Sequence, residues 1–317
     1  MSTNGSTLRG RAWASVNSSG GEISRSRSAS GGATMAYRTI RYETAGPIAV
    51  VTLNRPQALN AQNQDMKEEL AEAFNVAARS DSVRVAVLRA EGRAFSSGHD
   101  LKSFPRDPEA LGGPSSDKWF EGDSAKVRDL FYEAITLKCL AIHDFKKPLI
   151  AQVHGYCVAG GWLLASMCDI IIAADDARFR DPVVLMAAGG LELLVEPWDV
   201  GVRKAKELMW TGDYMDAQEA LRLGFVNRVV PRARLETEVM TLASRIAMMP
   251  PVTVQAVKRS VNHMLDLKGW RRSHADHFEI WSSCMVSDEH KAGHEGMAAG
   301  TLKQFIRKRD EPYERMT

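Results

Sequence analysis

Short apolar runs of strand character alternate with longer stretches of helical spacing along this chain, and no other feature restricts its fold so tightly. Ile48–Leu53 is rich in β-branched residues, Gln64–Arg79 sets Met66, Leu70, Ala73 and Phe74 on one helical stripe, and 83–88 is strand-like again. The order continues as a helix over 126–145, a strand over 148–153, a helix over 161–168 and a strand over 169–174. Such alternation predicts an α/β fold built in layers. The last third reads as helices over 201–210, Ala217–Leu223, 236–248, 251–266 and 295–308, with Pro250 and Pro251 separating two of them. Between the halves, 103–125 is rich in Pro, Gly, Asp and Ser and reads as a long loop, placed to form one wall of a site.

Residues 1–35 differ in kind. They are rich in Ser, Gly and Arg, hold one acid, Glu22, and show no apolar periodicity, which predicts a disordered N-terminal extension. An organelle transit peptide and a true start at Met35 are the alternatives. The remainder divides into a core over 36–245 and a helical part over 246–317. A charge of +2, with basic and acidic residues interspersed, gives no field for nucleic acid. The apolar runs fall far short of the roughly 18 residues that a membrane span needs. The four cysteines lack metal-ligand spacing and read as buried thiols, so no metal is expected. A cytoplasmic location follows, or a mitochondrial matrix one if 1–35 is a transit peptide.

Two glycine-containing segments follow strand-like runs: A-F-S-S-G-H-D-L-K from Ala94 to Lys102 and H-G-Y-C-V-A-G-G-W from His154 to Trp162. Backbone N–H groups presented where two strands end can hold one developing oxyanion, as a thioester enolate requires. Tight strand-to-helix turns would use the same glycines. Around them stand L-N-R-P-Q-A-L-N-A (Leu53 to Ala61), M-C-D-I-I-I-A (Met167 to Ala173), E-L-M-W-T-G-D (Glu207 to Asp213), A-L-R-L-G-F-V-N-R-V-V (Ala220 to Val230) and E-G-M-A-A (Glu295 to Ala299). In this order the motifs resemble the crotonase, or enoyl-CoA hydratase/isomerase, family from Met35 onward.

The resemblance implies a crotonase-like superhelix of β-β-α turns with a helical C-terminal part that packs on a neighbouring subunit, giving homotrimers or hexamers. It implies an acyl-CoA thioester as substrate, with coenzyme A as part of that substrate and no separate cofactor. The Ser97 and Gly160 N–H groups would be the oxyanion donors, with Gly161 easing close approach and Gly160 opening a helix whose positive end faces the same oxygen. Ala58, Leu59, Ala61, Ser97, Gly98, His99 and Asp100 would line the coenzyme path. Lys102 is either a partner of a CoA phosphate or a solvated lysine, and Lys258 and Arg259 are further candidates.

The two glutamates of the family's hydratases fall on Leu163 and Val183, and neither side chain can move a proton. Water addition needs a base and an acid, each worth roughly 10²–10⁴ in rate, so the substitutions argue against the standard hydratase route. Three groups remain for proton transfer. His99 is a candidate because histidine as a residue type can exchange a proton near neutral pH, although its ring is expected to point away if Ser97 presents its backbone. Asp181, before Pro182, either serves as an acid or bonds locally. Glu192, flanked by Leu191, Leu193 and Leu194, is expected to be desolvated and raised in pKa, with Glu196 a weaker substitute. Trp162 beside Gly161 reads as core. The leading expectation is enolate chemistry on an acyl-CoA, isomerisation being less harmed than hydration. The alternatives are a CoA-thioester hydrolase or carbon–carbon lyase, and a non-catalytic acyl-CoA-binding protein.

Overall fold

The computed structural model describes residues 25–27, 33–35, 37–100, 128–129 and 131–298. Ile48–Leu53 is buried along its whole length, as a strand covered on both faces must be. It pairs in parallel with Val85–Ala90, which continues through Leu149–Val153 and Ile170–Ala174 to Arg228–Val230. Ile40–Ala45 pairs antiparallel on the other side of Ile48–Leu53. A second, smaller sheet sets Ala94–Ser96, Tyr156–Val158 and Arg178–Arg180 in parallel order, closed by the antiparallel Met215–Asp216.

Each turn of chain therefore lays one strand in the large sheet and the next in the small one before entering a helical or looped segment. Val85–Ala90 and Ala94–Ser96 make one such step, and Leu149–Val153 and Tyr156–Val158 make the next, followed by Gly160–Ser166. This is the β-β-α superhelix that the resemblance implies. Its consequence is local: Ser96 sits opposite Cys157 in neighbouring parallel strands, so the two chain segments leaving those strands emerge side by side.

Helix Gln64–Arg79 buries Met66, Leu70, Ala73, Phe74 and Ala77 against the large sheet and begins on Asn63, whose side chain accepts from the Met66 N–H. On the other face of the sheet, helix Leu235–Ala247 packs Leu235, Val239 and Ala243 over Val50, Val87 and Ile150. Helix Trp270–Met285, absent from the sequence reading, buries Trp270, His274, His277, Phe278 and Trp281. A last helix covers Asp288–Ala298; the remainder of the expected 295–308 helix and the 103–125 loop lie outside the described residues. Ahead of Met35, where no order was expected, Arg25–Arg27 and Ala33–Met35 form two short antiparallel strands on the sheet edge. The edge supplies backbone partners that the segment's own apolar content does not. Among the described residues no helix is long and apolar enough to cross a membrane.

Candidate active site

Gly98 and Gly160 meet where the two short strands end. Gly98 adopts φ +96°, and a methyl there would stand 3.0 Å from both the Val158 carbonyl oxygen and Ala159 Cβ and 3.2 Å from Gly160 N. Only glycine combines that backbone angle with that approach. Ala159 itself holds φ 49°, ψ −118°, a conformation that costs an L-residue about 1–3 kcal/mol. It is held by its N–H on the Arg180 carbonyl (2.8 Å) and by Leu163 N–H on its own carbonyl (3.1 Å). The chain then opens helix Gly160–Ser166, so the Gly160 N–H has no acceptor within that helix. Gly161 packs against the preceding strand, where a methyl would lie 2.6 Å from the Ser96 carbonyl oxygen.

A third segment closes the group. Gln62 bridges to His99, its N–H donating to the Gly98 carbonyl (2.8 Å) and its carbonyl accepting from Asp100 N–H (3.1 Å). The Gln62 amide donates to the Gly160 carbonyl (2.8 Å) and to Ser96 Oγ (3.2 Å). Asp100 pairs with Arg55 at 2.9 Å, and Arg55 also donates to the Ala61 carbonyl. Ala58, Leu59 and Ala61 thus lie in the loop beside Ser97–Asp100. One expectation changes: the Ser97 N–H donates to the Leu59 carbonyl at 3.0 Å and is not an open donor. Leu59 and Asn60 both have left-handed backbone, which turns that carbonyl toward Ser97.

His99 does not point away. Its Cε1 and Nδ1 lie 2.8 and 2.9 Å from the place a methyl on Gly160 would occupy, and its Nε2 lies 3.2 Å from Glu192 Oε2. Glu192 is 5% exposed, on a loop held from outside by His277, whose Nε2 donates to the Leu191 carbonyl at 2.8 Å. Burial pushes the Glu192 carboxyl up, yet His99, by charge and hydrogen bond, and Lys67 by charge hold it below the ordinary glutamate value. The expected rise is therefore overturned: the desolvation is present, but two basic neighbours outweigh it. With Glu192 ionised and acceptor-only, Nε2 carries the hydrogen of this pair and Nδ1 is the ring nitrogen on the Gly160 side.

Asp181 and Glu196 form a separate buried pair, 1% and 0% exposed. Asp181 Oδ1 accepts from Val183 N–H at 3.2 Å, the local bond expected before Pro182, and its carboxyl meets that of Glu196, so that the two acids share a hydrogen bond in the interior. Burial pushes Asp181 up to about 6 and, with the Asp181 charge, raises Glu196 well above the ordinary range. Leu163 is fully buried and Val183 nearly so, both in the main core. Trp162 is core as read, stacked on Phe225 and donating to Asp199 at 2.8 Å. Lys258 donates to Asp169 (2.8 Å) and to the Lys147 carbonyl (3.1 Å), and Arg259 lies exposed on the same helix. Lys102 lies outside the described residues.

A narrow cavity opens beside His99 between Gln64–Arg79, Leu137–His143 and the helix after Gly160, with Leu70, Ile135, Ile142 and Leu164 as its apolar wall and Gln62, Lys67, Lys138 and Cys139 completing it. Gln62 and Lys67 were not singled out from the sequence. Lys67 carried a signal, for it stands three residues before Leu70 on the apolar stripe.

A sequence model described as enoyl-CoA hydratase/isomerase matches residues 43–315. A putative enoyl-CoA hydratase of Mycobacterium tuberculosis is 39% identical over 246 residues, covering 74% of this chain and 76% of that one. A crotonyl-CoA hydratase of Syntrophomonas wolfei is 32% identical over 281 residues, covering 86% of this chain and all of that one (100%). Among solved structures, a probable enoyl-CoA hydratase from Mycobacterium thermoresistibile superposes with TM-score 0.71 at 40% identity, covering 81% of this chain and 98% of that one. An enoyl-CoA hydratase/isomerase from Xanthobacter autotrophicus does so with TM-score 0.76 at 32% identity, covering 87% and 99%.

Proposed function

The chain belongs to the enoyl-CoA hydratase/isomerase family of acyl-CoA enzymes, and from that premise we propose that it shifts the double bond of an enoyl-CoA through a thioester enolate, with His99 and Glu192 moving the proton. The observation that carries this is the 3.2 Å contact between His99 and the buried Glu192 beside Gly160. The Gly160 N–H is the donor in place for the thioester oxygen. The Ser97 N–H joins it once the thioester oxygen displaces the Leu59 carbonyl, one acceptor exchanged for another.

In this reading His99 takes the proton from the carbon next to the thioester carbonyl. The C–H pair becomes the enolate, its charge rests on the oxygen held by Gly160, and the proton returns to the chain two carbons further on. Glu192 fixes the ring and offsets the charge that His99 gains. One shuttling base suffices for that path, whereas hydration by the two-carboxylate route asks for a second group, and Leu163 and Val183 cannot supply it. A buried acid–base pair at the cavity also favours catalysis over acyl-CoA binding alone.

Incubation with matched 2-enoyl- and 3-enoyl-CoA thioesters in D₂O, followed by mass spectrometry, tests the reading. Interconversion of the two with deuterium uptake is expected. A product heavier by one water and no isomer would replace isomerisation with hydration, and release of free CoA would replace it with hydrolysis. We further propose that subunits associate through the C-terminal helices as trimers or hexamers. Pro251–Leu267 supports this, since none of its residues is buried.

A further inference from the structure

Glu192 can steady His99 only while its carboxylate stays against the ring, and the following inference rests on that reading of the site. The side chain hangs from a segment, 187–195, that has no strand or helix of its own. What fixes the segment comes from the C-terminal helices. The Ala187 carbonyl accepts from Cys284 Sγ at 3.4 Å and from His290 Nδ1 at 3.2 Å. A methyl on Gly189 would stand 3.3 Å from Cys284 Cβ, and one on Gly190, which holds φ +108°, 3.4 Å from His277 Cε1.

The grip nearest Glu192 is that of His277. Its Nε2 lies 2.8 Å from the Leu191 carbonyl oxygen, and the residue is 7% exposed. That carbonyl belongs to the peptide unit whose N–H is Glu192's own. A trans peptide is planar, with its C=O and N–H directed oppositely, so holding the oxygen also aims the N–H. The Glu192 N–H in turn bonds the Glu192 carboxylate, one of the contacts that keep it ionised. A row of hydrogen bonds therefore runs from His277 through this peptide to the carboxylate and on to His99 at 3.2 Å.

Burial holds the His277 imidazole below the ordinary histidine value, against the pull of the Leu191 carbonyl and the Glu192 charge. The ring is thus neutral near pH 7, and Nε2 carries its one N–H. A neutral donor grips the loop without competing with His99 for the carboxylate's charge. Nor is His277 among the described residues that line the cavity. We propose that His277 is a positioning residue for the reaction, which through the Leu191–Glu192 peptide sets where the Glu192 carboxylate stands and so where the His99 ring lies.

The test is α-hydrogen exchange in D₂O, followed by proton NMR on the full-length protein, with butyryl-CoA or octanoyl-CoA, whichever calorimetry shows to bind more tightly. His277→Phe keeps a ring but loses the donor, and is expected to lower the bound-state exchange rate at least about tenfold, as for one buried acceptor left unpaired, with Kd within about twofold of the parent. His277→Gln places an amide N–H near the former Nε2 and is expected to recover most of that loss, whereas the shorter His277→Asn is not. In a Glu192→Gln protein, His277→Phe is expected to cost less than about twofold more, because no carboxylate remains to be placed. Parent-like exchange in a folded His277→Phe protein overturns the proposal, and so does a full further loss on top of Glu192→Gln. Should His277→Phe not fold, equal rates in the Gln and Asn variants overturn it. In each of these cases the parent still exchanges and the enolate reading stands; if the parent binds neither thioester, or binds one without exchange, both fall.

Discussion

A single hydrogen atom decides the geometry at Gly160. Any side chain there would begin 2.8 Å from His99 Cε1, closer than real contacts allow, and 3.2 Å from the Gln62 amide oxygen, a tight approach. Gly160→Ala therefore keeps the backbone N–H but drives the His99 ring off Glu192. The expected outcome is a fall in kcat of at least about 10²-fold, the low end for loss of general acid–base catalysis, with a circular dichroism spectrum like the parent's. Parent-like kcat in that variant would show that the ring need not lie against Gly160. At this scale the sequence was legible where a residue type announces its task, as in Gly98, Gly160 and Glu192. It was not legible where the task depends on who stands opposite: the direction of the Glu192 shift required knowing that His99 and Lys67 converge on it from segments 93 and 125 positions away.

The short helix Glu196–Val200 brings its first residue against Asp181, and among the described residues no cation stands between them. Both carboxyls are raised by burial, Asp181 to about 6 and Glu196 well above the ordinary value. An acid whose pKa is higher folded than unfolded binds its proton more tightly in the folded chain, so this pair adds stability as pH falls through the folded value and opposes folding above it. Glu196→Gln gives Asp181 a permanent amide donor and removes one titrating group. It is expected to raise Tm at pH 8 and to narrow the difference between pH 5 and pH 8, measured by calorimetry. A Tm lowered equally at both pH values would show packing, not titration, to be what Glu196 contributes. Elements differed in how far they could be read. Gln64–Arg79, marked by its apolar spacing, and Ala217–Leu223 run over the residues read for them. Ala94–Ser96, Tyr156–Val158 and Arg178–Arg180 are three residues each, too short for alternation to register. Trp270–Met285 was missed because two of its inward positions are histidines, His274 and His277.

Among the described residues, the long helix Pro251–Leu267 has no buried residue. Pro251–Leu267 exposes Val252 (80%), Val257 (59%), Val261 (50%) and Leu267 (76%), more apolar surface than a single chain usually leaves in water on one element. Val261→Asp is expected to shift light-scattering mass from a trimer or hexamer toward the single chain, and a parent protein that is already monomeric would refute the association. The layered α/β class was legible from strand–helix order and the superhelix only through the family resemblance, whereas the meeting of three distant loops at Gly160 was not legible, because it depends on which short strands are neighbours in the second sheet. That meeting carries the central claim, that a thioester enolate forms beside Gly160 with Glu192 behind His99. Exchange of the α-hydrogens of a saturated acyl-CoA in D₂O, followed by proton NMR, measures enolate formation without any later step. With a saturated acyl-CoA that calorimetry shows to bind, the account predicts exchange with the parent protein and a rate lower by at least about 10²-fold with Glu192→Gln. Exchange at the parent rate in a folded Glu192→Gln protein, or none with the parent, would contradict it.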